Sequence, residues 1–101
     1  MKKYDIPWNT GSMFICNKCG ISFDQPDMAD KLKTDLRQHL KDTEEHKKIR
    51  VMVTGCLSIC KKSEQAIMYQ PVAGKTEIFT VGKNFKDNLA ELKSILKNLL
   101  K

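Results

Sequence analysis

The chain has 101 residues, of which 41% are hydrophobic and 30% are charged. This composition is typical of one compact globular domain, and it excludes collagen-like, coiled-coil and low-complexity chains. The longest apolar runs are only a few residues long, whereas a membrane span needs about 20. We therefore expect a soluble protein that makes no use of a membrane. The formal net charge of +6 favours acidic partners.

The first residues carry little information about function. Lys2 and Lys3 are not followed by the apolar segment of a secretory signal, so we expect a cytoplasmic protein with reduced thiols. We interpret residues 1–12 as a leader that is either flexible or not native to the domain. Residues 13–101 are expected to form a single domain.

The first half of the chain predicts a strand and a helix. Residues 13–15 form a short apolar run that ends in a cysteine loop, as expected of a strand. The sequence from Asp24 to Asp27 predicts a helix start, with Pro26 at the first helical position. Apolar residues then recur every fourth position, which predicts about four helical turns with one buried face. These are Met28, Leu32, Leu36 and Leu40. The charged segment 42–48 fits either a helix extension or a loop.

The second half predicts three strands and a final helix. Residues 50–54 are rich in β-branched side chains, and residues 66–69 and 77–81 are two further strand-like runs whose short connection predicts a hairpin. Asn84 is the expected N-cap of the last helix. Its predicted apolar face comprises Phe85, Leu89, Leu92, Leu96 and Leu99. The predicted element order is βαβββα, an α/β (α+β) arrangement.

Four cysteines are the main functional signal. Cys16 and Cys19 form a C-x2-C pair, and Cys56 and Cys60 form a C-x3-C pair after 36 intervening residues. Each pair follows a predicted strand. If those strands are parallel neighbours joined by the first helix, both loops reach the same edge of the sheet. Four thiolates can hold a tetrahedral zinc ion, a single iron or a [2Fe-2S] cluster, in which each iron takes two cysteines.

Three other interpretations compete with an iron–sulfur site. A structural zinc site is supported by Cys16, Cys19 and Gly20, which resemble half of a zinc knuckle, although zinc ribbons usually place their pairs about 15 to 20 residues apart. Thiol–disulfide exchange by Cys16 and Cys19 leaves the second pair without a role, and the first helix starts too late to lower a thiol pKa. The last interpretation is that all four thiols are inert core residues.

Other chemistry is poorly supported by the sequence. His39 lies near the end of the first predicted helix and His46 lies in the charged connector, and neither has ligand spacing to a cysteine pair. No nucleophile elbow, phosphate-binding glycine loop or paired-carboxylate motif is present. Basic residues are not interleaved with stacking aromatic residues, so nucleic-acid binding is not expected. We therefore expect an electron-transfer protein and not an enzyme.

The second cysteine pair resembles a known signature. Residues 55–60, GCLSIC, resemble the G-C-L-G-x-C motif of the thioredoxin-like [2Fe-2S] ferredoxins and of the related small [2Fe-2S] subunit of NADH dehydrogenases, with Ser58 in place of the second glycine. The resemblance covers about residues 13–100. It implies a thioredoxin-like fold with a mixed sheet flanked by two helices, a homodimer, and a [2Fe-2S] cluster near the surface. The implied ligands are Cys16, Cys19, Cys56 and Cys60, although Cys16 and Cys19 are closer together than the first two ligands of those families.

Three lysines flank the cysteines and lead to a first prediction. Lys18 lies within the first pair, and Lys61 and Lys62 follow the second. Positive charge near an anionic cluster favours its reduced state and offers a docking rim to an acidic redox partner, whereas solubility alone would leave the potential unaffected. Replacing Lys61 and Lys62 with Gln is therefore expected to lower the midpoint potential and weaken the salt dependence of partner reduction. Potentiometric titration and reduction kinetics at several salt concentrations measure both, and no change in either would contradict the hypothesis.

Overall fold

The computed structural model describes residues 1–59 and 63–101 and has an α+β fold. Its elements follow the predicted βαβββα order, which is confirmed. They are β1 (Gly11–Cys16), a 3₁₀ helix (Cys19–Phe23), α1 (Met28–Asp42), β2 (Ile49–Thr54), β3 (Gln65–Pro71), β4 (Glu77–Val81) and α2 (Phe85–Leu99). Cys60, Lys61 and Lys62, which the sequence assigned to the site and its rim, lie outside the described residues.

The four strands form one mixed sheet in the order β2-β1-β3-β4. β1 and β2 are parallel, with Cys16 opposite Thr54, and β3 is antiparallel to both β1 and β4. The predicted parallel pair, the hairpin and the mixed sheet are therefore confirmed, in an arrangement compatible with a thioredoxin-like fold. Since β1, β2 and β4 run in the same direction, their carboxyl ends share one edge of the sheet.

Both helices bury the faces that their leucine spacing predicted. The four-residue stripe of α1 is buried, as are Leu92 and Leu96 of α2, while Phe85, Leu89 and Leu99 pack at the margin of the core. The predicted cap of α2 is also present, because the Asn84 side chain accepts a hydrogen bond of 3.0 Å from the Asp87 N–H. Such a cap satisfies one of the amide groups that the first helical turn leaves unpaired.

The two helices cover the same face of the sheet. Met13 and Ile15 of β1 share the main core with residues of both helices. Side chains alternate across a strand, so Phe14 and Cys16 face the other side. There Phe14 pairs in register with Met52 and Met68, and Met68 with the exposed Ile78, in a row across all four strands.

Element boundaries differ from the predicted ones by a few residues. β1 begins at Gly11, two residues earlier than expected, because the Gly11 N–H donates to the Lys48 carbonyl and Tyr69 packs where a Gly11 side chain would lie. α1 begins at Met28, not at Pro26, and it ends at Asp42, so the charged residues that follow it are not helical. In the described part of the chain, no helix combines the length and the apolar character that a bilayer span needs.

Candidate metal centre

The structure places the described cysteines on both loops at the carboxyl edge of the sheet. Cys16 is the last residue of β1, and Cys19 is the first residue of the 3₁₀ helix. Both are buried, with 0% and 1% of their surface exposed. Cys56 is exposed and follows the end of β2 by two residues. The predicted convergence of the two loops is therefore observed, and Cys60 lies outside the described residues.

Each described sulfur accepts a hydrogen bond from a backbone amide. The Lys18 N–H donates to Cys16 Sγ over 3.4 Å, and the Ser58 N–H donates to Cys56 Sγ over 3.3 Å. Cys19 Sγ accepts from the Ala66 N–H of β3 over 3.4 Å. Amide donors of this kind favour the charged form of a thiol and tune metal–thiolate centres. Two of these amides lie two residues after the cysteine that they reach, whereas the Ala66 amide comes from a different strand.

The Cys16 thiol shows the effect of these amides. Burial alone would raise the pKa of Cys16, but hydrogen bonds from the backbone of Lys18, Cys19 and Leu57 and from the Cys19 side chain lower it below its ordinary value. Leu57 belongs to the second cysteine loop. Its amide therefore links that loop directly to the sulfur at the end of β1, and the environment favours the thiolate form that a metal requires.

A small apolar cluster surrounds the first pair. Cys16, Cys19 and Ala66 form its buried centre, and Phe23, Leu57 and Ile59 pack against them. The side chains of the second loop thus lie over the first pair and keep water from it. This burial also weighs against thiol–disulfide exchange, since an exchanging thiolate must reach the disulfide of another molecule.

Gln65 is a site residue that the sequence analysis missed. Its side chain is fully buried, and its amide nitrogen donates to the carbonyl oxygens of Cys16 at 2.7 Å and Ala66 at 3.1 Å. Among residues 1–59 and 63–101, its Oε1 atom has no hydrogen-bond partner. The bond to Cys16 fixes the backbone where β1 ends. The only sequence signal for Gln65 was a polar residue at the start of a strand. That signal does not distinguish a buried side chain that holds the backbone from one exposed to solvent.

Within the described residues, no three Cys, His, Asp or Glu side chains are arranged to hold a metal ion. The described cysteines place candidate metal ligands on both loops. The ligand set proposed from the sequence also needs Cys60. His39 is in the last turn of α1 and His46 is exposed beyond it. Because α1 begins near the cysteine edge, both histidines lie toward the opposite end of the domain.

The starts of both helices lie at the cysteine edge. The Gln25 side chain, before α1, donates to the Lys83 carbonyl over 2.9 Å, and the Asn88 side chain of α2 donates to the Gly82 carbonyl over 2.8 Å. Helix N-termini carry partial positive charge. The positive ends of both helices therefore lie at the same edge of the sheet as the cysteine loops.

Ser58 adopts a backbone conformation that favours glycine. Its φ is 63°, in the left-handed region that glycine enters without steric cost. We therefore expect Ser58→Gly to raise the free energy of unfolding by up to about 1 kcal/mol while keeping the Ser58 N–H on Cys56 Sγ. Chemical denaturation measures the change. Ser22→Gly, at a residue without a positive φ, is the control and should destabilise the protein.

Comparison of this chain with protein-family models, curated proteins and solved structures gives no match. The function is therefore inferred from the cysteine pattern and from the geometry around it.

Proposed function

We propose that the chain binds a [2Fe-2S] cluster through Cys16, Cys19, Cys56 and Cys60 and serves as a one-electron carrier. The observation that carries this proposal is the packing of Leu57 and Ile59, from the second cysteine loop, against the buried Cys16 and Cys19 of the first, because it brings the two loops together. Two separate pairs suit a cluster whose two irons each take two thiolates. When bound, such a cluster accepts and returns one electron.

The cysteine ligands can hold an anionic cluster only if the surrounding residues stabilise their negative charge. Four thiolates concentrate negative charge in a partly buried place, which is costly without compensation. Backbone amides donate to each of the described sulfurs, three of them over 3.3 to 3.4 Å, and those that reach Cys16 favour its thiolate form. The chain's own residues thus hold the described ligands in place, favour the ionised state of Cys16 and, through Phe23, Leu57 and Ile59, exclude water from the first pair.

The rim of the site fits an acidic protein partner. Lys18 is exposed between the two cysteines of the first pair, and Ile21, two residues after Cys19, is 62% exposed. A lysine beside an exposed apolar side chain can attract a carboxylate-rich surface and then contact it closely. The proposal places the protein in the reducing cytoplasm, where thiols stay available as ligands. The homodimer implied by the family resemblance is part of the same proposal.

Metal and sulfide analysis of protein purified without oxygen tests the function. We expect a brown protein with two irons and two acid-labile sulfides per chain, which bleaches with dithionite and gives the paramagnetic resonance signal of one unpaired spin. Colourless, sulfide-free protein with one zinc per chain would overturn the proposal in favour of a structural zinc site. Metal-free protein with a titratable Cys16–Cys19 disulfide would overturn it in favour of thiol exchange.

A further inference from the structure

The only two arginines of the chain line one small cavity at the edge of the sheet. Arg37 comes from α1 and Arg50 from β2, and the cavity between these elements has a volume of about 90 Å³. Lys41 and His46 contribute two further nitrogen-bearing side chains to it. The other cations of the chain are lysines, so both planar guanidinium groups are gathered at this cavity.

The positive charge of this cavity is not balanced by carboxylates. Its remaining lining is apolar and consists of Leu40, Ile49 and Val51. Within the part of the chain that the structure describes, the ion pair found joins Lys31 to Asp27, so it includes none of the cavity's cations. Burial and the nearby charge of Arg50 lower the pKa of Arg37, as expected of cations that repel each other.

Arg37 is held in a fixed orientation. Its Nε atom donates to the Val51 carbonyl oxygen over 2.7 Å, on the outer side of the edge strand β2. The terminal nitrogens of its guanidinium group find no acceptor among the described residues. A guanidinium group fixed in this way loses little conformational entropy when its remaining donors bind an anion.

We propose that this cavity binds the phosphate group of a small phosphorylated molecule. Guanidinium groups match the oxygens of phosphate with paired, charge-assisted hydrogen bonds, and Lys41 adds a further positive charge. The volume equals that of about three water molecules in the liquid, so it accommodates one compact oxyanion and leaves the rest of the ligand outside. Arg50 is four residues before Thr54 on β2, about 13 Å from the cysteine edge, so this site is independent of the metal centre.

A titration monitored by amide chemical shifts tests the site on the full chain. Inorganic phosphate and glycerol 3-phosphate are added separately, with sodium chloride at equal ionic strength as the reference. We expect saturable shifts in residues 46–51 with both phosphates and none with chloride. Arg50→Gln removes charge-assisted hydrogen bonds and should weaken binding about tenfold or more. Lys86→Gln removes the same charge at the start of α2 and should change the affinity less than about twofold.

Arg37 is left unchanged in this test, because its bond to Val51 also supports the edge strand.

Several outcomes would overturn the proposal. Shifts that do not saturate, or equal weakening by Arg50→Gln and Lys86→Gln, would mean that these cations only protect an exposed strand edge. Shifts centred on Lys93 and Lys97 would place the anion in the wider groove of about 480 Å³ between the helix ends. Binding to phosphatidic acid vesicles without binding to either free phosphate would identify a membrane surface as the occupant.

Discussion

Cys56→Ser is expected to remove most of the iron and acid-labile sulfide from protein purified without oxygen, with a loss of cluster affinity of at least about 100-fold. The reason is that serine retains the shape of the side chain but is a poor ligand for iron, and the Cys56 sulfur is held in place by the Ser58 N–H that donates to it. Cys56 is exposed, so the substitution creates no cavity in the core. Iron and sulfide analysis and the visible spectrum measure the loss, while circular dichroism monitors the fold.

The matched control for Cys56→Ser is Asn17→Ala. Asn17 is exposed on the neighbouring loop, and its bond to the Thr54 carbonyl oxygen is made by the backbone N–H, which alanine retains. This variant should keep its full iron and sulfide content. If Cys56→Ser also keeps both, the exposed cysteine is not a ligand and the four-thiolate proposal is wrong.

Replacement of Cys19 distinguishes a metal ligand from a residue that only fills the core. A buried cysteine that only fills space loses a small volume on replacement by alanine, which costs about 1 kcal/mol of stability and leaves any cofactor bound. A ligand at the same position loses the cluster. We expect Cys19→Ala to lose iron and sulfide, because the Ala66 amide donates to its sulfur across the sheet edge. A destabilised variant that retains both would show that Cys19 belongs to the apolar cluster alone.

Gly20→Ala is expected to lower the free energy of unfolding by about 2 to 3 kcal/mol. A methyl group on Gly20 would collide with the Gln25 carbonyl oxygen and lie 3.3 Å from the Met28 Cβ atom. Relief of that collision requires movement of the segment whose Gln25 N–H donates to the Gly20 carbonyl oxygen over 2.7 Å. That segment leads directly into α1, so the strain reaches the start of the helix. Thermal and chemical denaturation measure the loss, with an expected fall in Tm of about 10 °C or more.

Gly55→Ala is the control for Gly20→Ala. The two glycines occupy similar sequence positions beside cysteine pairs, and the sequence offers no reason to separate them. At Gly55, an added Cβ atom would have no neighbour within 4 Å, and the residue does not have a positive φ. Its replacement should change stability by no more than about 0.5 kcal/mol. Equal losses in the two variants would show that the close approach at Gly20 is not an energetic constraint.

The elements that the sequence predicted well are those with strong local signals. Each of these signals acts through the geometry of its own element. They are apolar residues at every third or fourth position of a helix, the Asn84 cap, and runs of β-branched residues in the strands. The 3₁₀ helix after Cys19 was not predicted, because it depends on the close contact between Gly20 and the Gln25 carbonyl oxygen. The extension of β1 to Gly11 likewise depends on pairing with neighbouring strands and not on apolar side chains.

For the candidate site, the position of each cysteine pair directly after a predicted strand predicted which loops meet, because parallel strands joined by a helix bring their carboxyl ends together. Spacing carries no information about which amides face the sulfurs. Ala66 and Gln65 reach the first pair only because β3 lies beside β1 in the sheet. Sequence spacing also does not show that Arg37 and Arg50 line one cavity, since the turn from α1 into β2 separates the two residues.

By itself, the amino-acid sequence determined the order of the strands and α-helices, the buried helix faces and the two cysteine loops, since each follows from local periodicity or from strand direction. Only the tertiary structure decided that both helices cover one face of the sheet, that Cys16 and Cys19 are buried while Cys56 is exposed, and that the two arginines share a cavity. The physical reason is that burial, hydrogen bonding to sulfur and charge repulsion depend on distances between segments far apart in the chain, which no local pattern specifies.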